Sequence, residues 1–124
     1  MANPNIVSVA SIYGKTVYDA DIATSASSIV SNAASSGKIL KINSLIIANI
    51  DGSNAADITV TLRNAAGGTT YSTLANTISV PADATLVVVS KDTSVYLMED
   101  MSLYVLASAA GDLSATCSYE EISE

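Results

Sequence analysis

Turn-forming residues recur about every ten positions from residue 38 onward, and a short β-patterned run fills each interval between them. This spacing leaves no long stretch with the 3.6-residue period of a helix. The chain has no Phe and no Trp, and its apolar content is mainly Ile, Val, Leu and Ala. The sequence therefore predicts an all-β, antiparallel β-sandwich of about eight strands, either a jelly roll or an immunoglobulin-like Greek key. The predicted strands are 38–50, 57–63, 69–74, 77–80, 84–90, 94–97, 102–108 and 112–120.

The N-terminal third is different, because it is rich in Ser and Ala and has few large apolar residues. It predicts one or two strands joined by loose segments, with 24–30 as a weak strand or, alternatively, a short helix. We expect residues 1–12 to form an extended N-terminal arm, since Pro4 favours extended backbone. Residues 13–124 are expected to form a single domain around one core. The N-terminus lacks the pattern of a signal peptide, so we expect synthesis in the cytoplasm.

The segment 38–50, KILKINSLIIANI, has large apolar residues on both sides when it is read with the period of two of a strand. The runs 84–90 and 102–108 share this property. Such strands indicate a central position in a sheet whose outer face is covered by another subunit or by the arm. The predicted contact residues are Ile6, Val7, Val9, Ile12 and Tyr13 in the arm, with Leu45, Ile47, Val87 and Val89 on the second face of the strands.

The charge balance argues against several classes of partner. Twelve acidic and five basic residues give a net charge of −7, which is unsuited to nucleic acid or to an anionic membrane. No apolar run approaches the ~20 residues of a membrane-spanning helix. Charged residues make up only 14% of the chain. A surface this neutral is tolerable in a protein that works beside other copies in an assembly.

Residues that carry common chemistry are missing from the sequence. The chain has no His, which removes the usual general base and the commonest transition-metal ligand. One cysteine, Cys117, cannot build a zinc or copper site and is interpreted as a small core residue. We therefore predict a protein that is not an enzyme, with no catalytic residue, no metal and no cofactor.

Three short motifs favour turns over chemistry. The tripeptide at 92–94 resembles the Asp-Thr-Gly of aspartic proteases, but Ser stands in place of Gly. The stretch 51–57 offers carboxylate and amide oxygens without the order of a calcium-binding loop, and it is typical of a hairpin turn. The glycine pair at 67–68 precedes a predicted strand rather than a helix, so it is not a phosphate-binding loop.

Several segments resemble small virion structural proteins of tailed bacteriophages, especially marine and cyanobacterial phages. The most recognisable are KINSL at 41–45, NIDG at 49–52, ISVPADA at 78–84 and CSYEEI at 117–122. The likeness extends over residues 11–122. In that group such proteins are accessory head, neck or tail components, so the resemblance implies an assembly role within the virion.

Together these observations lead us to expect a non-enzymatic capsid decoration (cement) protein. It would form a homo-oligomer, with a trimer favoured, and bind the major capsid protein or other virion proteins through apolar burial. One alternative is a tail or neck component, such as a tube, an adaptor or a fibre-linked module. A second is a carbohydrate-binding β-sandwich that stacks sugars on tyrosines, although packing is the more common use of Tyr in β-structure. The tyrosines are Tyr13, Tyr18, Tyr71, Tyr96, Tyr104 and Tyr119.

Overall fold

A computed structural model describes residues 3–124, which form nine β-strands and one short 3-10 helix at Lys91–Thr93. The all-β prediction is confirmed, and so is the strand interpretation of the segment around residue 28. The strands are β1 (Ser11–Asp19), β2 (Ser27–Asn32), β3 (Lys38–Asn49), β4 (Ala56–Asn64), β5 (Thr70–Val80), β6 (Thr85–Val89), β7 (Val95–Leu97), β8 (Met101–Ala107) and β9 (Leu113–Ser123).

The strands pair as one long hairpin that has been rolled up. β1 pairs with β9, β2 with β8, β3 with β6 and β7, and β4 with β5, all antiparallel. Rolling adds the pairs β3–β9 and β4–β8. Two sheets result: sheet A, with the order β1-β9-β3-β6 and β7 also beside β3, and sheet B, with the order β2-β8-β4-β5. This strand order is that of a jelly roll, one of the two topologies that the sequence predicts.

A β-bulge at Asn43 explains why the segment 38–50 has apolar residues on both sides. The pairing with β9 moves from Ile42–Tyr119 to Ser44–Ser118, which leaves Asn43 as an extra residue. One extra residue reverses the alternation of side chains for the rest of the strand. The core therefore receives Leu40 and Ile42 before the bulge, and Leu45 and Ile47 after it.

The predicted outward position of Leu45 and Ile47 is therefore wrong, since both side chains are 0% exposed within a single chain. The same correction applies to β6. Its pairing with β3 moves from Leu45–Val89 to Ile46–Val87, so Val88 is the extra residue. Val89 is 1% exposed and lies in the core, whereas Val87 is 56% exposed on the outside.

Other strand boundaries also differ from the prediction. The runs 69–74 and 77–80 form the single strand β5, whose pairing with β4 contains three register shifts. Thr77 lies in this strand with a φ of 47° and donates its N–H to Thr59 Oγ1 at 3.1 Å. β1 begins at Ser11, so the last two residues of the predicted arm belong to the sheet. The first two residues of that arm lie outside the described residues.

The core fills the space between the two sheets with Ile, Leu and Val. Cys117 is 0% exposed in this core, as predicted, and burial raises the pKa of its thiol to about 11.

Two buried amides close the ends of strands. Asn49 Nδ2 donates to the carbonyls of Asn54 and Val80, both at 2.9 Å. Asn32 donates to backbone carbonyls in the same way at 2.9 and 3.0 Å.

Candidate assembly surface

The outer face of sheet A, hereafter the sheet A face, combines exposed apolar side chains with Ser and Thr. It is built from the residues of β1, β9, β3, β6 and β7 that alternate with the core residues. The strand register arranges them in rows that cross the sheet. In the order β1, β9, β3 and then β6 or β7, the rows are Tyr18–Thr116–Ile46–Val87, Thr16–Ser118–Ser44, Gly14–Glu120–Lys41–Tyr96 and Ile12–Ile122–Ile39. In the fourth row Ile122 and Ile39 are buried within the single chain, so only Ile12 is exposed there.

The first of these, the Tyr18 row, exposes the most apolar surface. Tyr18 is 77% exposed and Val87 is 56% exposed, and they lie at opposite edges of the sheet. Ile46 lies between them and is partly buried by its neighbours. Exposed apolar side chains that line up across a sheet form a continuous patch, which is the usual mark of a contact surface.

The Gly14 row, which is the third, contains the charged residues of the sheet A face. Glu120 and Lys41 are direct cross-strand partners, and Glu120 Oε1 accepts a hydrogen bond from Asn43 Nδ2 at 3.1 Å. Tyr96 closes the row and is 39% exposed. At the other end, a Cβ built on Gly14 would have no atom within 4 Å, so the surface above this glycine is open.

The sequence patterning placed Val87 correctly on the outer face but missed the other positions of these two rows, because it assigned that face to Leu45, Ile47 and Val89. The signal that points to Gly14 is present in the sequence, since a glycine within a β-run often marks the close approach of another chain. Among the predicted arm residues, Ile12 lies in the fourth row of the sheet A face, and the others lie outside its rows. Ile6, Val7, Ile12 and Tyr13 are 52%, 91%, 52% and 59% exposed, Val9 is partly buried, and their role in contacts stays a prediction.

The tyrosines do not share one surface. Tyr18 and Tyr96 lie on the sheet A face, Tyr71 and Tyr104 belong to sheet B, and Tyr119 is 9% exposed. In sheet B the Arg63 guanidinium lies 4.8 Å from the centre of the Tyr104 ring. This cation–π contact occupies one face of that ring. The tyrosines of the described residues are therefore divided between the two sheets and do not form a single sugar-stacking platform.

One ionic network joins three strands of sheet A. Lys15 Nζ and Lys38 Nζ lie 2.5 and 2.6 Å from the two carboxylate oxygens of Glu121, whose side chain is 14% exposed. The hydrogen bonds from Lys15 and Lys38 lower the pKa of Glu121. The network ties β1 and β3 to β9, so its role is to hold the sheet together.

The loops at the opposite end of the sheet carry acidic residues. Asp51 Oδ1 accepts hydrogen bonds from the N–H groups of Ser53 at 2.8 Å and Asn54 at 3.3 Å, and these bonds lower the pKa of Asp51. The segment turns as predicted, but it joins β3 of sheet A to β4 of sheet B, so the predicted hairpin is wrong. Desolvation, followed by the charge of Asp51, raises the pKa of Asp112. Within residues 3–124, no group of three or more acidic or Cys side chains is arranged to hold a metal ion.

The other two motifs also form turns. Residues 92–94 belong to the 3-10 helix and the position after it, where the N–H of Ser90 donates to Thr93 Oγ1 at 3.1 Å. The N–H of Gly67 donates to Asn64 Oδ1 at 2.6 Å. The described part of the chain contains no pocket, and none of its helical segments is long and apolar enough to cross a membrane.

Glu99 is the unusual polar residue of the fold. Both of its carboxylate oxygens are buried, and neither has a hydrogen-bond partner among the described residues. Buried carboxylates in native proteins are normally paired. A buried carboxylate without a partner normally costs stability, and no pocket lies beside Glu99 in the described part of the chain.

No protein-family model and no curated protein matches this sequence. Among solved structures, the chain is similar to a protein from the Bacillus endospore appendages, which form a family of disulfide-linked pili. The TM-score is 0.50 and the sequence identity is 16%, over 90% of this chain and 88% of the other. At this identity the likeness concerns the fold.

Proposed function

We propose that this chain is a non-enzymatic structural protein of a tailed-phage virion, and that it decorates the capsid as a cement protein. The sequence resemblance to small virion proteins supports a location in the virion. Shell proteins use the jelly-roll fold, as do many proteins with other functions. The observation that carries the proposal is the sheet A face. Its exposed Tyr18 and Val87 make an adhesive surface on a chain whose described residues contain no pocket.

The mechanism is adhesion by many weak contacts. Four strands spaced by about 4.8 Å, over about seven residues at 3.4 Å each, give the sheet A face an area of about 450 Å² beyond the buried Ile122 and Ile39. Standard interfaces bury about 800 Å² on each partner, so one face supplies a modest contact. In a particle, symmetry repeats the contact many times and the assembly gains stability.

A tail or neck position, as a tube, adaptor or fibre-linked module, is the alternative placement in the same class. The similarity to pilus proteins supports a structural role at the level of the fold alone. This chain would differ from those disulfide-linked proteins in its chemistry, because its single cysteine is buried. Carbohydrate binding is the weaker alternative, since the tyrosines are divided between the two sheets.

Binding to phage particles that lack the protein tests the proposal. Purified protein is added to these particles, unbound protein is removed, and the particles are imaged by cryo-electron microscopy. We expect new density at the icosahedral lattice points of the head. Density that follows the tail axis would favour the alternative placement, and particles without new density would contradict a virion role.

A variant pair shows which surface binds. Val87→Lys places a charge on the sheet A face, whereas Tyr71→Lys places the same charge on an exposed position of sheet B. We expect Val87→Lys to reduce binding to the particle and Tyr71→Lys to leave it unchanged. Equal effects of the two variants would remove the sheet A face from the mechanism.

A further inference from the structure

We propose that the sheet A face binds the same face of a second copy of this chain, around a two-fold axis that runs parallel to the strands between β9 and β3. The inference rests on the proposed function, because it names another copy as the partner of the sheet A face, so the contact that symmetry repeats in the particle is one between copies. Such an axis places β1 of one copy opposite β6 and β7 of the other, and β9 opposite β3. Each row of the face then meets itself in reverse order.

The distribution of charge favours a second copy as the occupant. The sheet A face carries one of the five basic residues, Lys41, and one of the twelve acidic residues, Glu120. It is therefore neutral, and the whole net charge of −7 lies on the rest of the chain. Two copies repel each other through their remaining surfaces, so this face is where they meet at the lowest electrostatic cost.

The Gly14 row is complementary to its own reversal in charge. In this row Glu120 lies on β9 and Lys41 lies beside it on β3. The two-fold axis reverses that order in the second copy, so Glu120 of each copy faces Lys41 of the other. Two opposite-charge pairs form at once, whereas a partner with another pattern would leave these charges unpaired.

The same row is complementary in size, and this accounts for Gly14. A glycine in the interior of a strand costs stability, and Gly14 has neither a left-handed φ nor a neighbour that would exclude a side chain. Nothing among residues 3–124 of the same chain requires it. In the proposed pair, Gly14 lies opposite Tyr96 of the second copy, whose ring needs the open surface above the glycine.

The Tyr18 row supplies the apolar contact of the pair. Reversal places Tyr18 opposite Val87 of the second copy, and Ile46 opposite Thr116. Between these two rows lies the row of Thr16, Ser118 and Ser44, whose small side chains let the sheets approach. Packed sheets are rotated by about 30°, so the rows nearest the centre of the face align best.

The area predicts a reversible pair. Two faces of about 450 Å² bury about 900 Å² in total, which is below the range of stable specific interfaces and within that of weak, transient contacts. A two-fold contact uses the same patch on both partners and closes at two copies. The trimer that the sequence analysis favours would need two different patches on each copy. The molecular mass in solution therefore distinguishes a two-fold pair from a trimer.

Charge reversal and mixing test the proposed pairing. Lys41→Glu and Glu120→Lys each place like charges opposite one another in a pair of identical copies. We expect each variant alone to sediment as one chain of 12.6 kDa, and an equimolar mixture to sediment as two chains. Wild-type protein should sediment as two chains at high concentration. A mixture that does not associate, or a wild-type mass of three chains, would overturn the proposal.

Gly14→Val tests the size complementarity separately. Because the surface above Gly14 is open, we expect the variant to unfold at the same or higher urea concentration than wild type but to lose self-association. Thr73→Val is the control, on an exposed position of β5 in sheet B, and should associate like wild type. A Gly14→Val protein that pairs normally would contradict the role of Gly14.

These outcomes are independent of the test of function. Particle binding without pairing would remove the second copy as partner but leave the virion role in place. Pairing without particle binding would contradict the virion role but leave the second copy as the partner of the sheet A face. If Gly14→Val fails to fold, the mixing experiment alone decides between the two results.

Discussion

The substitutions Val87→Ala and Val89→Ala offer a direct test of the bulge in β6. They remove the same two methyl groups from the same strand, only two residues apart. Val89 is 1% exposed and Val87 is 56% exposed, because the extra residue Val88 places them on opposite faces. A strand without the bulge would place both valines on one face, and the two substitutions would then have similar costs.

The magnitudes follow from burial. Two buried methyl groups are worth about 1.6 kcal/mol of transfer free energy, and the cavity left in a packed core raises the cost to about 2–3 kcal/mol for Val89→Ala. Less than half of the Val87 side-chain surface is buried, so removing its methyl groups costs about 0.7 kcal/mol of transfer free energy. Both variants lose the same strand preference of Val over Ala, and the difference of about 1.5–2 kcal/mol therefore reports burial.

Urea unfolding monitored by far-ultraviolet circular dichroism provides the measurement. It should be made at low protein concentration, so that contacts between copies do not contribute to the stability of Val87. With a urea dependence of about 2 kcal/mol/M, Val89→Ala should lower the midpoint by about 1 M or more, and Val87→Ala by less than about 0.5 M. Equal midpoints for the two variants would refute the bulged register.

The remaining predictions concern the charged residues. Since the folded state lowers the pKa of Glu121 below 4.5, its contribution to stability is fully present above pH 4.5 and is lost as the pH falls through the folded value. Glu121→Gln should therefore cost about 1 kcal/mol in urea unfolding at pH 7 and much less at pH 3, and an equal cost at both pH values would contradict the ionic network. Glu99→Met should raise the free energy of unfolding by about 1–3 kcal/mol, because it removes a buried carboxylate that has no partner among residues 3–124, and a loss of stability would show that the carboxylate is satisfied. Glu99→Gln is the matched variant, and its gain should be smaller because the buried amide also lacks a partner.

The turn residues made the strands predictable. Gly, Pro, Asp and Asn recur at nearly every loop of the structure, and these residue types have specific backbone reasons to be there. The choice of the jelly roll over the immunoglobulin-like topology was not accessible, because it depends on pairings between distant strands such as β1 and β9. Local patterns do not record which distant strands become neighbours.

The candidate surface was harder to predict for a related reason. A strict period of two does not hold across 38–50, because Asn43 is an extra residue in the strand. Many different sequences can form such a β-bulge, so the sequence alone does not show where it lies. Most of the large apolar residues that a period of two assigns to the second side of that segment lie in the core. Leu45 and Ile47 are examples, because they follow the bulge. The real outer face contains fewer apolar residues, and its Gly14 became informative only once β1 was placed beside β9.

Cross-linking at Thr116 is the measurement that tests the central claim most directly, because this exposed residue of β9 lies beside the proposed two-fold axis. Cys117 is buried and burial raises the pKa of its thiol to about 11, so an introduced cysteine is the reactive thiol of the folded protein. Thr116→Cys treated with a short bis-maleimide should give a covalent pair of chains on a denaturing gel. Thr73→Cys, on sheet B, should remain a single chain under the same conditions. Single chains from both variants, or equal yields of the covalent pair, would contradict the claim that a second copy covers the sheet A face.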